Sequence, residues 1–460
     1  MSLTGTGIVI ILLGIYALFL NRTLLYDLTI FFVPFSATSV INFGEEGTGS
    51  AIQPYMFLGS LWLLTVLLPA IFTFKKNTLI NKTELTNVLL LIGFALIALI
   101  SLSMPIIING SEMGNITGGL GLNGPIVFSS KNITQFVYLL FGVIFAIALY
   151  LHNKSEQNYL RTIKVYSIAI LFVVIWGFLE LFCYYKNITY PAFLFNNSFN
   201  GNAAGYKMVA DASSDLKRIS SVGIEPSIMI QSVVVLIPFL FFGIINKQYI
   251  FNKWFDLVFI FLLYIFTIRS TSSSGILCLI FLTILSGMCY FNKLNLKIKI
   301  RFLLGSIVII PVLTILIYNL FTDIINKMLF DKTESFSELE RLSSILDAWN
   351  TFLRHPVLGA GWASVSSFDL FVKILSNTGI LGFLFFVGYI VNIIRSKIKP
   401  RNLSPKITII NTAILVAFCT MIFGNMINTF TFIFGSIWLI CGLAMVSKYC
   451  HNPSPISESI

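Results

Sequence analysis

A chain of 460 residues with 57% hydrophobic residues, only 11% charged residues and a mean hydropathy of +0.89 lies far from soluble domains, in which about a quarter of residues carry charge. That balance excludes a water-soluble globular protein. The formal net charge of +11 records orientation rather than a nucleic-acid partner, because the basic residues are dispersed over many short segments beside apolar runs.

Apolar runs long enough to cross ~30 Å of hydrocarbon as helices recur from end to end. They predict helices over 6–21, 24–41, 53–74, 84–106, 132–151, 162–183, 226–246, 254–268, 274–291, 302–320, 369–394, 406–424 and 428–447. The chain thus reads as an all-α polytopic membrane protein of about 13 spans (12 to 14), with 1–460 forming a single integral membrane domain. The first run, MSLTGTGIVIILLGIYALFLNR, lacks the basic start and small-residue cleavage site of a signal peptide and reads as a retained helix. Asp27 and Pro34 interrupt the first two runs and make them the least regular. Cys183, Cys278, Cys289, Cys419, Cys441 and Cys450 show no CxxC or CxxH spacing, so neither a disulfide framework nor a zinc site is indicated. The absence of a GxxxxGK[ST] loop argues against ATP hydrolysis by this chain.

Charge orients the spans. The segments TFKKNTLINK, HNKSEQNYLRTIK, NKQYIFNK, NKLNLKIKIR and RSKIKPRNLSPK, with Arg22 and Lys448, hold 19 of the 30 Lys and Arg on one side, which the positive-inside rule makes cytoplasmic. The opposite side carries the long connections 107–131, 184–225 and 321–368 and the short RSTSSS at 269–274. Chemistry on a large external substrate belongs in such loops.

Eleven basic residues run against this gradient. Lys131, Lys186, Lys207, Lys217, Lys327 and Lys332 read as solvated loop charge. Arg218, Arg269, Arg341 and Arg354 each adjoin a membrane-proximal turn. One such arginine alone reads as headgroup contact, whereas four on one side suggest a shared anionic ligand, since guanidinium meets phosphate oxygens two at a time. Arg341 and Arg354 flank an amphipathic stretch, with Leu342, Ile345, Leu346, Trp349, Phe352 and Leu353 on one side, that is expected to lie along the membrane surface. Glu225, directly before Pro226, suits a helix start as well as it suits catalysis. Ser270 and Ser273 in RSTSSSG either cap the next helix or help Arg269 hold an anion. Asp369 is a carboxylate at the mouth of a helix, with Lys373 one turn on as a possible ion-pair partner. Among the aromatics of the loops, Tyr185, Tyr190 and Trp362 suit sugar stacking or interface anchoring.

Three motifs in order, RISSVGIEPS, FTIRSTSSSG and ERLSSILDAWNTFLRHPVLGAGW…NTGILGFLFF, give the chain a family resemblance. Over about Tyr185 to Val391 it resembles the Wzy-type O-antigen polymerases, which share a superfamily with O-antigen ligases and protein oligosaccharyltransferases. Where ligases carry a His-Asn pair before the glycine matching Gly379, this chain has Phe368 and Asp369, which favours polymerisation over ligation. The resemblance implies a GT-C-like fold in the bacterial inner membrane, with the active face periplasmic. It implies two undecaprenyl-pyrophosphate-linked oligosaccharide substrates, contact with membrane lipids and a chain-length-determining co-polymerase as partner, and no metal or other cofactor. Arg218, Arg269, Arg341 and Arg354 would hold the pyrophosphate, His355, Ser270 and Ser273 would assist, and Asp369 or, second, Glu225 would be the base. Two alternatives remain from the residues: an oligosaccharide ligase using the same arginines, and a lipid-linked-sugar flippase or transporter. The transporter should show matching halves, and no convincing repeat is found.

Overall fold

A computed structural model describes residues 1–45, 49–72, 81–111, 124–199, 203–209, 217–291, 336–398, 405–428 and 432–447. The predicted span 302–320, Lys327, Lys332 and Cys450 lie outside the described residues.

The chain is mostly helical. In order it forms α1 (Gly5–Leu20), α2 (Arg22–Phe31), α3 (Pro54–Phe72), α4 (Lys82–Ser101), α5 (Met104–Ile107), α6 (Ser130–His152), α7 (Glu156–Tyr185) and α8 (Ala192–Phe195). It continues with α9 (Pro226–Val234), α10 (Ile237–Ile245), α11 (Lys253–Arg269), α12 (Ser273–Phe291), α13 (Phe336–Arg354), α14 (Leu370–Ile398), α15 (Pro405–Met426) and α16 (Gly435–Met445). Seven of the described helical segments are long and apolar enough to cross a membrane: 82–107, 130–152, 156–185, 226–245, 273–291, 370–398 and 408–426. The molecule is therefore a helical membrane protein. Helices 5–20, 54–66 and 435–445 are apolar but shorter.

Two predicted spans are corrected. The helix expected over 24–41 ends at Phe31, because Pro34 has no amide to donate and residues 36–39 bond elsewhere. The Ala37 amide donates to the Val222 carbonyl (2.9 Å), Thr38 Oγ1 donates to the Phe195 carbonyl (2.7 Å), and the Ile224 amide donates to Ser36 Oγ (3.2 Å). The freed chain then enters a small antiparallel sheet of β1 (Ser2–Leu3), β2 (Ile41–Phe43) and β3 (Ser50–Ile52), with Ser2 opposite Asn42 and Asn42 opposite Ala51. The span expected over 428–447 is helical only over Gly435–Met445. Carbonyls ahead of it are met by side chains, Tyr55 hydroxyl on Ile433 (2.5 Å) and Trp438 Nε1 on Phe432 (2.7 Å). The span 226–246 is broken between Val234 and Ile237, ahead of Pro238.

Short α16 is the centre of the bundle. Every one of its residues is buried, against α6 and α15. Close approach to α6 depends on Gly142, where an added Cβ would stand 1.9 Å from the Trp438 ring, and on Gly442, which lies against the Ala146 carbonyl. Small residues are what allow membrane helices to pack backbone to backbone. We predict that Gly142→Leu overpacks this contact at a cost of about 1–3 kcal/mol, seen as a lower thermal midpoint of the detergent-solubilised chain.

Candidate functional site

Loop 32–40 bonds to residues 195–198 and 222–224, and a buried ion pair holds the turn 217–221 beside them. Glu180, on the penultimate turns of α7, is 1% exposed, and Lys217 is 2% exposed. Lys217 Nζ donates to Glu180 Oε1 (2.8 Å) and to the carbonyls of Met208 (3.1 Å) and Arg218 (2.5 Å). The other carboxylate oxygen accepts from the amides of Ser220 (3.1 Å) and Ser221 (2.6 Å). Ser221 has φ of 51°, the left-handed region that non-glycine residues seldom enter. Its carbonyl accepts from Asn196 Nδ2 (2.9 Å), and its hydroxyl donates to the Val173 carbonyl (2.7 Å). Five bonds from one buried pair thus fix the turn 217–221. Lys217 is accordingly structural, not the solvated loop charge its sequence context suggests. Its ammonium is pulled below its ordinary pKa by burial, an effect that Glu180 opposes.

That turn presents Arg218. Burial lowers the guanidinium pKa, the charge of Glu225 opposes the shift and that of Arg341 adds to it, so both lie within electrostatic range of Arg218. Arginine nevertheless remains charged. Arg218 Nε is buried with no hydrogen-bond partner among the described residues. Glu225 is the residue before α9, yet its side chain makes no cap to that helix and instead accepts from Ser227 Oγ (3.3 Å). Arg341 lies over the ring of Phe368 at 5.3 Å.

Helix α13 is inverted relative to a soluble helix. Ser343, Ser344, Asp347, Ala348 and Thr351 are buried, while Leu339, Leu342, Leu346, Trp349 and Leu353 are all at least 38% exposed. The stripe repeats every three or four residues, so it is one face. An outward apolar face of this kind is what a membrane-surface helix presents. Arg354 ends the helix, exposed, and the pKa of His355 is lowered by burial first and then by the neighbouring Arg354 charge.

The motif HPVLGAGW and the NTG that follows form one unit. Gly379 (φ 63°) breaks the ladder inside α14, and an added Cβ would stand 2.1 Å from the Val357 carbonyl oxygen. At Gly359 (φ 67°) it would meet the backbone of Asn377 at 2.5 Å. The released groups are re-bonded by the loop: Ile380 amide to Pro356 carbonyl (2.8 Å), and Ala360 amide to Ser376 carbonyl (2.7 Å). Asn377 pins Val365 from both its amide and its carbonyl, and Asn132 Nδ2 donates to the Trp362 carbonyl (2.6 Å).

Beside this unit is a cavity of about 200 Å³. Trp362, Phe368 and Phe432 wall it, and Lys131 and Lys373 line it together with Gln135. Asp369 turns away to cap its own helix, accepting from the Val372 amide (2.7 Å); burial raises its pKa and the amides of Val372 and Phe371 pull it back. Lys373, expected from its spacing as the partner of Asp369, lines the cavity and is close enough to Lys131 for their charges to repel.

The remaining candidates have local roles. Arg269 donates to the Tyr185 hydroxyl (2.6 Å) and lies 5.8 Å from that ring. Ser270 Oγ donates to the Thr267 carbonyl (2.7 Å), and Ser272, not Ser270 or Ser273, accepts from the Gly275 amide in the first turn of α12. Ser273 is half-buried as the first residue of that helix. The structure thus groups Arg218, Glu225 and Arg341, with Phe368 bridging towards Asp369 and the lysine cavity. Sequence reasoning passed over Lys131 and Lys217. Glu180, an ionisable residue near the end of an apolar run, was the available signal.

The chain matches no protein-family model and no curated protein.

We predict that Glu180→Ala, which strands a buried ammonium, costs about 3–5 kcal/mol. The double change Glu180→Leu with Lys217→Met is expected to cost less than Glu180→Ala, read from thermal midpoints in detergent.

Proposed function

We propose that this chain is a metal-independent, GT-C-like glycosyltransferase that polymerises surface polysaccharide. In this reading, a growing glycan on undecaprenyl pyrophosphate is transferred to the next lipid-linked repeat unit at the periplasmic face of the bacterial inner membrane. The observation that carries the proposal is the convergence of Arg218 and Arg341 at the membrane-facing helix α13, with a buried Arg218 Nε lacking a hydrogen-bond partner among the described residues. Such a pair suits a pyrophosphate delivered from lipid.

The chemistry needs little else. A hydroxyl oxygen of the acceptor bonds to the anomeric carbon of the donor sugar, and the bond from that carbon to the pyrophosphate oxygen breaks. The electron pair leaves on that oxygen, where Arg218 and Arg341 offset the developing charge. The hydroxyl proton passes to a carboxylate. Asp369 is assigned this role because burial raises its pKa and makes it a stronger base than an ordinary aspartate. Glu225 offsets part of the charge of Arg218.

The test is a surface-polysaccharide ladder from cells lacking the chain, complemented with variants whose membrane expression is checked. Wild type should restore the ladder. Arg218→Ala and Arg341→Ala should each lower polymerisation by about 10²-fold or more, the usual cost of losing one preorganised charge-stabilising donor, leaving single repeat units. A full ladder from Arg218→Ala, or none from wild type, rejects the proposal. Asp369→Asn should abolish the ladder without lowering the amount of folded protein.

A further inference from the structure

The cavity beside Phe368 has no part in the transfer step above, and its lining is costly to build. Lys131 lies in the first turn of α6 and Lys373 in the first turn of α14. Helix N-termini carry partial positive charge, so cations there are disfavoured. Two such lysines also face each other closely enough to repel. Asp369, the residue before α14, accepts from the Val372 amide through Oδ1 and does not line the cavity. The cavity walls are aromatic, with Trp362 and Phe432 rings 5.1 Å apart, and the indole N–H of buried Trp362 has no partner among the described residues.

We propose that this cavity is a subsite for one carboxylate-bearing sugar ring of the glycan, a hexuronate or a similar acidic monosaccharide. Lysines supply point charges for the carboxylate, and Gln135 supplies an amide for ring hydroxyls. The aromatic walls suit the C–H face of a pyranose. The volume of about 200 Å³ is below the about 300–1,000 Å³ of pockets that enclose drug-sized ligands, so it holds one ring rather than a disaccharide. A pyrophosphate is better served by the forked donors of Arg218 and Arg341. Only the term "glycan" rests on the transferase reading; the chemistry of the cavity stands without it.

The test is calorimetric binding to the full chain in lipid nanodiscs, using glucuronate, glucose and inorganic pyrophosphate as probes. Glucuronate is expected to bind more tightly than glucose. Lys373→Gln and Lys131→Gln should each weaken glucuronate by about tenfold or more, the loss of one charge-assisted hydrogen bond, and leave pyrophosphate unchanged. Arg218→Ala should do the reverse. No glucuronate binding by wild type, equal binding of glucose, or loss of pyrophosphate binding in Lys373→Gln overturns the subsite. Lysine-dependent glucuronate binding by a chain that fails to restore a polysaccharide ladder would uphold the subsite and sink the polymerase reading instead.

Discussion

The buried pair of Glu180 and Lys217 is the constraint on which the loop end of this protein depends. Two opposite charges removed from water are tolerated only when their remaining donors and acceptors are met, and here they are met by backbone. The carboxylate takes two amides and the ammonium gives to two carbonyls. Charge satisfaction and loop geometry become the same problem. The solution holds Ser221 in a backbone region it would otherwise avoid and leaves Arg218 facing Glu225 and Arg341. One buried pair thus sets both the stability of this turn and its shape.

The bundle supports that end from below. A fully buried central helix, α16, is too short to span a bilayer by itself, and the carbonyls just ahead of it are met by side chains of Tyr55 and Trp438. Among the described helices, α13 alone combines an outward apolar stripe with a buried polar face carrying serines, threonine and Asp347. Its amphipathicity is read correctly only if the apolar side belongs to lipid.

Hydrophobic run length revealed the helical membrane class and the seven long apolar helices among the described residues, because a membrane helix must satisfy its own backbone. It failed where side chains or loops supply those bonds: at residues 32–40, which bond to residues 195–198 and 222–224, and at residues 432 and 433. The site was legible in part. Arginine position and membrane side singled out Arg218 and Arg341, yet nothing in the sequence ranked them above Arg269, whose partner Tyr185 lies 84 residues away in the chain. Long-range partners also explain the misreading of Lys217, whose nearest acid in sequence is Asp215 but whose ammonium finds Glu180, 37 residues back on α7. Lys373 shows the converse: a tempting neighbour at i−4, Asp369, was already committed to the helix end.

The break at Gly379 carries a mechanical implication. Its orphaned amides and carbonyls are completed by residues 356–360, so that loop and the helix are stitched into a single body, and peeling one from the other would expose unpaired backbone where water is scarce. Helix α13 packs on α14 through small and polar side chains and turns its larger ones outward, so the stitched body carries at its flank an apolar stripe that needs lipid rather than water beside it.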